Sequence, residues 1–215
     1  MPGRLCAKIA SVVIAIITAM PAVAHAVAIT TLFNTGVDAS RTPLPNNAPE
    51  GHYSLVTVPS GTTDVRAATS ANGFPIGPWI GDNTTSAWIG PNSGNDLGGP
   101  VGDYDYRTTF SLLGFNAASA SIVGQWSVDN RGVDILLNGI STGNIASGFQ
   151  SFYAFTINNG FVDGLNTLDF IVNNQGGPTG LRTELVGLAD VPEPASMALL
   201  GIGLFGLALT RGKRA

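Results

Sequence analysis

The chain has 215 residues with a formal net charge of −4, only 11% charged residues and a single cysteine. A negative field of this kind does not attract nucleic acid or other polyanions, and one cysteine excludes a disulfide framework and Cys-based zinc or iron–sulfur sites. The abundance of Gly, Pro, Asn, Ser and Thr suits short strands joined by many turns rather than helices.

The N-terminus reads as an export leader. Arg4 and Lys8 precede the apolar run Ile9–Met20, Pro21 breaks it, and Ala24-His25-Ala26 supplies a small-x-small cleavage pattern. Residues 1–26 are therefore expected to be a signal peptide cut after Ala26. Cys6 lies before the apolar run, whereas a lipidated cysteine would follow it, so the mature chain is expected to hold no cysteine. Residues 27–194 then carry five Arg and no Lys against fourteen Asp and Glu, leaving −9. Such a domain repels polyanions, tolerates neutral glycans and attracts cations such as Ca²⁺.

Residues 27–190 are expected to form one domain. Val27–Asn34 reads as a first strand, 38–50 with Pro43, Pro45 and Pro49 as a loop, Tyr53–Val58 as a short strand and Asp64–Thr69 as another. The stretch 72–102 is dense in Gly, Pro and Asn and holds Trp79 and Trp88, so it reads as a long loop with one or two brief strands. In 104–112, Tyr104, Tyr106, Thr108, Phe110 and Leu112 share one face, and Asp105, Arg107, Thr109 and Ser111 share the other. In 120–128, Ala120, Ile122, Gly124, Trp126 and Val128 face one way, which assigns Trp126 to the core. Asp129-Asn130-Arg131-Gly132 reads as a hairpin turn, Val133, Ile135 and Leu137 are expected to continue the core on the return strand, and Asn138-Gly139 is the next turn. Strands are expected at 151–157, 168–172 and 181–190. The pattern predicts an all-β antiparallel sandwich of about eight strands, jelly-roll-like, with the first strand beside the last.

Candidate chemistry is sparse. His52 is the one histidine after the leader, and no Gly-x-Ser-x-Gly elbow accompanies it. Asp103 with Asp105, and Asp129 with Asp134, have spacings that a glycosidase could use, but nothing selects them over solvated acids. The expectation is that the chain is not an enzyme. The loop 92–105 clusters oxygen donors, so Asp96, Asp103 and Asp105 are candidate ligands of a structural calcium, with a solvated acidic loop as the alternative. Trp79 and Trp88, and the Tyr104/Tyr106 pair, are candidates for contact with sugar. The two loop tryptophans fit a glycan platform or a plug at one end of the sandwich equally well.

The C-terminal segment has three parts. Pro192-Glu193-Pro194 keeps an extended, accessible backbone. Ala195–Thr210 carries no charge and no proline, and sixteen helical residues rise roughly 24 Å. That is short for a bilayer core of about 30 Å, but Ser196 and the stems of Arg211 and Lys213 extend its reach at the interfaces. Arg211, Lys213 and Arg214 form a basic stop that places residues 211–215 in the cytoplasm and the preceding domain outside.

The order of Pro192-Glu193-Pro194, Met197–Leu209 and the basic end resembles the PEP-CTERM sorting signal. The resemblance implies that residues 191–215 are a sorting segment read by an exosortase, a membrane-embedded cysteine protease that cuts near the tripeptide. It implies an inner-membrane anchor during sorting and then the cell surface or extracellular matrix, with an exopolysaccharide or biofilm link. A second resemblance rests on 120–130, 134–139 and 164–174, which look like parts of galactose-binding-like jelly rolls. It covers roughly residues 104–190 and implies architecture more than activity. The expected role is structural or exopolysaccharide-associated. The alternatives are a membrane-anchored, lectin-like carbohydrate-binding module and an extracellular glycoside hydrolase.

Overall fold

A computed structural model describes residues 25–60, 65–68, 77, 79–91, 98–192 and 203. Residues Ala24–Pro192 fold as one unit. Its strands are β1 (Ala26–Ala28), β2 (Tyr53–Thr57), β3 (Arg66–Ala68), β4 (Trp88–Gly90), β5 (Gly102–Ser111), β6 (Asn116–Asp129), β7 (Arg131–Leu137), β8 (Ile140–Ser141), β9 (Tyr153–Ile157), β10 (Leu165–Asn174) and β11 (Gly180–Asp190). Every pairing is antiparallel. One sheet runs β3-β4-β11-β6-β9, with β1 also on β11, and the other runs β2-β5-β10-β7-β8. The fold is the expected antiparallel sandwich.

Period-two alternation builds the core. Tyr104, Tyr106 and Phe110 of β5, Ile122, Trp126 and Val128 of β6, Ile135 of β7, Leu168, Phe170 and Val172 of β10, and Leu181 of β11 are buried in one cluster between the sheets. Trp126 lies 5.6 Å from Phe170, ring centroid to ring centroid, so the parity of β6 places it as predicted.

Three local expectations need correction. Val133 is 36% exposed, because the β7–β10 register shifts between Asp134 and Gly132, so the core face of β7 is Ile135 and Leu137. The first strand stops at Ala28 instead of continuing to Asn34, because side chains take over the role of the ladder. Asn34 Oδ1 accepts from the Leu185 amide at 2.8 Å, and Thr35 Oγ1 from the Thr183 amide at 2.9 Å. Nor do residues 129–132 make a hairpin, since β6 and β7 lie in opposite sheets and Asn130 carries the chain across. The Asn130 amide donates to Asn173 O at 3.3 Å, and its Oδ1 accepts from the Gln175 amide at 2.7 Å, which moors the crossing to the end of β10. Asn138-Gly139 does form a hairpin turn, between β7 and β8. Its two residues have φ of 52° and 78°, the left-handed pair that a two-residue turn requires.

The sandwich has two chemically distinct ends. At one, the chain enters at Ala26 opposite Asp190, and Asp190 also pairs with Asn116. The β5–β6 turn meets the loop before β10 there, with the Leu112 amide donating to Gly164 O at 2.7 Å. At the other end, Asn174 Nδ2 donates to Gly99 O at 2.8 Å, and Gly98 bridges Pro178.

Candidate functional site

The end that receives Ala26 is also where β11 releases the C-terminal segment. Ala26 is exposed and paired in β1, and Val191 and Pro192 follow β11 as exposed residues. Ala24, Glu193, Pro194, Arg211, Lys213 and Arg214 lie outside the described residues, as does the apolar run 195–210 apart from Gly203. No helix among the described residues is long and apolar enough to cross a membrane.

The outer face of the β1/β3/β4/β11/β6/β9 sheet carries an open groove with a volume of about 490 Å³. Val123, Ala154 and Val186 give it apolar walls, and Asn34, Gln125 and Glu184 give it polar ones. Glu184 is held by four side chains. Its Oε1 accepts from Asn83 Nδ2 at 2.6 Å, Ser86 Oγ at 2.8 Å and Thr85 Oγ1 at 2.9 Å, and its Oε2 from Gln125 Nε2 at 2.9 Å. Desolvation raises its pKa, but these hydrogen bonds outweigh it and hold the carboxyl below the ordinary range. An ionised carboxylate with its lone pairs this occupied is a poor proton donor and an effective anchor for residues 83–86.

Arg182, two residues earlier on the same face, is fully buried. Its Nε donates to Ser86 Oγ at 2.8 Å and its Nη1 to Gly81 O at 2.6 Å. Nη2 stands 3.9 Å from Glu184 Oε1. Burial lowers the Arg182 pKa, and the charges of Glu184 and Asp82 oppose that shift. In the sequence, 181–190 reads only as a last strand, and neither Arg182 nor Glu184 stands out as a site residue. The available signal was that a domain with five cations places one of them two positions from a carboxylate on one strand face.

Trp79 and Trp88 are not an exposed platform. Trp88 is 0% and Trp79 6% exposed. The two rings lie 4.3 Å apart, with Phe149 at 6.0 Å from Trp79. They form a small second cluster, and Trp88 Nε1 donates to Ile80 O at 3.0 Å. The physical reason is area: two indoles beside a sheet lose more by hydration than the loop loses by folding over them. Tyr104 and Tyr106 point into the main core, so that pair offers no sugar contact either. His52 stacks on Phe33 at 3.7 Å between ring centroids.

Asp103 and Asp105 lie on the outer face of β5. Asp103 Oδ1 accepts from Asn173 Nδ2 at 2.6 Å. Asp105 neighbours the Arg107–Asp169 ion pair, in which Nε–Oδ1 is 2.5 Å and Nη2–Oδ2 2.9 Å. Asp96 lies outside the described residues, and among those described no three His, Cys, Asp or Glu side chains are placed to share a metal ion. With Asp103 committed to Asn173 and a guanidinium beside Asp105, this pair does not by itself fit a calcium site. Asp129 and Asp134 sit on strands of opposite sheets and form no carboxylate pair.

Desolvation pushes Asp105 up to about 6, Asp169 adds to the shift and Arg107 opposes it. Asp129 is also pushed up to about 6 by desolvation, against hydrogen bonds from Trp79 and Asn130. A folded-state pKa above the unfolded one means that the folded chain holds more protons between them, so stability falls as pH rises through that window. The sandwich is expected to melt higher at pH 5 than at pH 7.5. Asp105→Asn should flatten that dependence and stabilise the protein at pH 7.5 by about 1 kcal/mol after solvent screening. Thermal melts of both proteins across pH 4.5–8 check it, and an unchanged pH slope in the variant would refute it.

Among solved structures, the sandwich is similar to a CBM35 from Paenibacillus barcinonensis, at 13% identity and a TM-score of 0.35, over 63% of this chain and 98% of that one. At that identity and overlap the likeness speaks to neither ligand nor activity. No curated protein matches the chain. Residues 190–214 match the family described as the PEP-CTERM protein-sorting motif. The motif begins at the last residue of β11 and covers the tripeptide, the apolar run and most of the basic end. The chain thus carries at residues 190–214 a PEP-CTERM protein-sorting motif, which marks it as an exported protein with a membrane-anchored sorting signal for an exosortase.

Proposed function

We propose that this protein is a non-catalytic structural component of the cell surface or extracellular matrix. In this reading the leader 1–26 directs export, and the segment 195–210 holds the sandwich at the inner membrane with residues 211–215 in the cytoplasm. An exosortase then releases residues 27–190 near Pro192-Glu193-Pro194. The observation that carries the reading is the sorting motif that starts where the sandwich stops, at Asp190. Outside the cell, the acidic, cysteine-free domain works in association with neutral exopolysaccharide. Mass spectrometry of the termini of the exported protein tests the processing. A species that starts at Val27 and stops near Pro194 is expected, and Ala215 retained on all exported protein would refute release.

A lectin-like reading has one feature in its favour, the open groove of about 490 Å³ with amide and carboxylate groups along apolar walls. Sugars present hydroxyls beside apolar C–H faces, which a mixed lining of this kind suits. Calorimetric titration with the native exopolysaccharide, on the parent and on Gln125→Ala, separates this reading from a purely structural role. Equal heats for the two proteins would dispose of the groove as a sugar site.

A further inference from the structure

Exposed apolar side chains gather at the end of the sandwich where the chain leaves β11. Leu113, at the tip of the β5–β6 turn, is 82% exposed, and Leu165, at the start of β10, is 69% exposed. The two tips are neighbours, because Leu165 pairs with Ser111 and the Leu112 amide bonds to Gly164. Val162 lies in the adjoining loop, and Val27 and Val191 flank the entry and exit of the chain, all between 43% and 48% exposed. Single exposed hydrophobes are ordinary on a soluble surface. Five at one end of a sandwich are a patch that calls for an occupant.

Chain length supplies the occupant. Only Val191–Pro194 separates the last paired residue, Asp190, from the uncharged run that begins at Ala195. Four extended residues reach about 14 Å at most, so an inserted run 195–210 keeps this end within about 14 Å of the hydrocarbon edge. A tether that short raises the effective concentration of the patch at the lipid surface, and a few leucine-sized contacts then suffice to orient the domain.

We propose that the tips carrying Leu113 and Leu165 dock on the bilayer while the chain is anchored, so that the sandwich stands on the membrane by this end. The inference rests on the anchored-sorting reading above. The docking is apolar. Asp163 and Asp190 sit at this end, and Arg41 beside it is committed to the carbonyls of Thr30 and Leu32. Zwitterionic lipid therefore suits the surface, and salt does not release it. The orientation also holds the 192–194 tripeptide at the interface, where a membrane-embedded protease meets its substrate.

The test uses the anchored form Val27–Ala215, which has no cysteine of its own, with one introduced cysteine, Leu113→Cys, Leu165→Cys or Ile145→Cys. Ile145 is 59% exposed and lies next to the Ala146–Gly132 bridge at the opposite end, so it is a matched control. Each protein is labelled with an environment-sensitive fluorophore and reconstituted into phosphatidylcholine–phosphatidylethanolamine vesicles, some containing nitroxide-bearing lipid. Near-UV circular dichroism confirms that each variant retains the parent fold. The expected result is a blue shift and strong nitroxide quenching at 113 and 165, unchanged in high salt, with neither at 145. Vesicle-floated protein in which 113 and 165 quench no more than 145 overturns the proposal and leaves the anchor intact. Protein that fails to float overturns the anchor reading and the proposal with it. Shielding of 113 and 165 only when the processing protease shares the membrane overturns lipid docking in favour of a protein contact.

Discussion

Glu184→Ala should destabilise the sandwich by about 3 kcal/mol, the low end of the cost of leaving one member of a buried charge pair alone. Four donors, from Asn83, Thr85, Ser86 and Gln125, lose their common acceptor. The fully buried Arg182 loses the carboxylate that stands 3.9 Å from its Nη2. Among the described residues Nη2 has no hydrogen-bond partner, so the attraction of Glu184 is what compensates its desolvation. Glu184→Gln keeps an acceptor oxygen but not the charge, and should fall between the parent and Ala. Urea unfolding measures both. A loss below about 1 kcal/mol for the alanine variant would mean that the network is a surface ornament of the kind that contributes little. Hydrogen exchange should place the loosening in residues 80–87, which Arg182 and Glu184 tie to β11.

Trp126→Ala should cost about 3–5 kcal/mol, because a fully buried indole leaves a cavity that two hydrogen-bonded sheets cannot close. The ring is 0% exposed and packs on Phe170. It also lies against Gly132, where an added Cβ would run into the indole. Gly132→Ala alone should therefore destabilise by about 1–3 kcal/mol through overpacking. The same change in the Trp126→Ala background should cost much less, since the new methyl group enters the vacated space. Strictly additive losses in this double-mutant cycle would refute the contact. Trp126→Phe is milder again, because among the described residues the indole N–H has no hydrogen-bond partner to lose.

Leu113 and Leu165 illustrate a limit of reading along the chain. Each is an apolar residue near a turn, and the two lie more than fifty positions apart. They become a surface only because β10 pairs with β5 in the register that sets Leu165 opposite Ser111. Asp129 and Asp134 show the opposite outcome: five positions apart in sequence, they are separated by a change of sheet. Trp79 and Trp88 were ambiguous for a third reason, since an indole in a Gly- and Pro-rich loop covers or exposes its ring according to what it folds against.

The order of amino acids by itself determined which residues of β5, β6 and β10 face the core, that the fold is an antiparallel sandwich, and that the C-terminal segment is a sorting signal. Alternation, turn residues and an uninterrupted apolar run act locally, through backbone sterics and side-chain solvation, and need no partner to be read. Only the tertiary structure decided the crossing at Asn130, the burial of the two loop tryptophans, the Arg182–Glu184 anchor and the apolar end beside the exit. Each of these depends on which distant strands come together, and that pairing is settled by the free energy of the whole core rather than by any single stretch of chain.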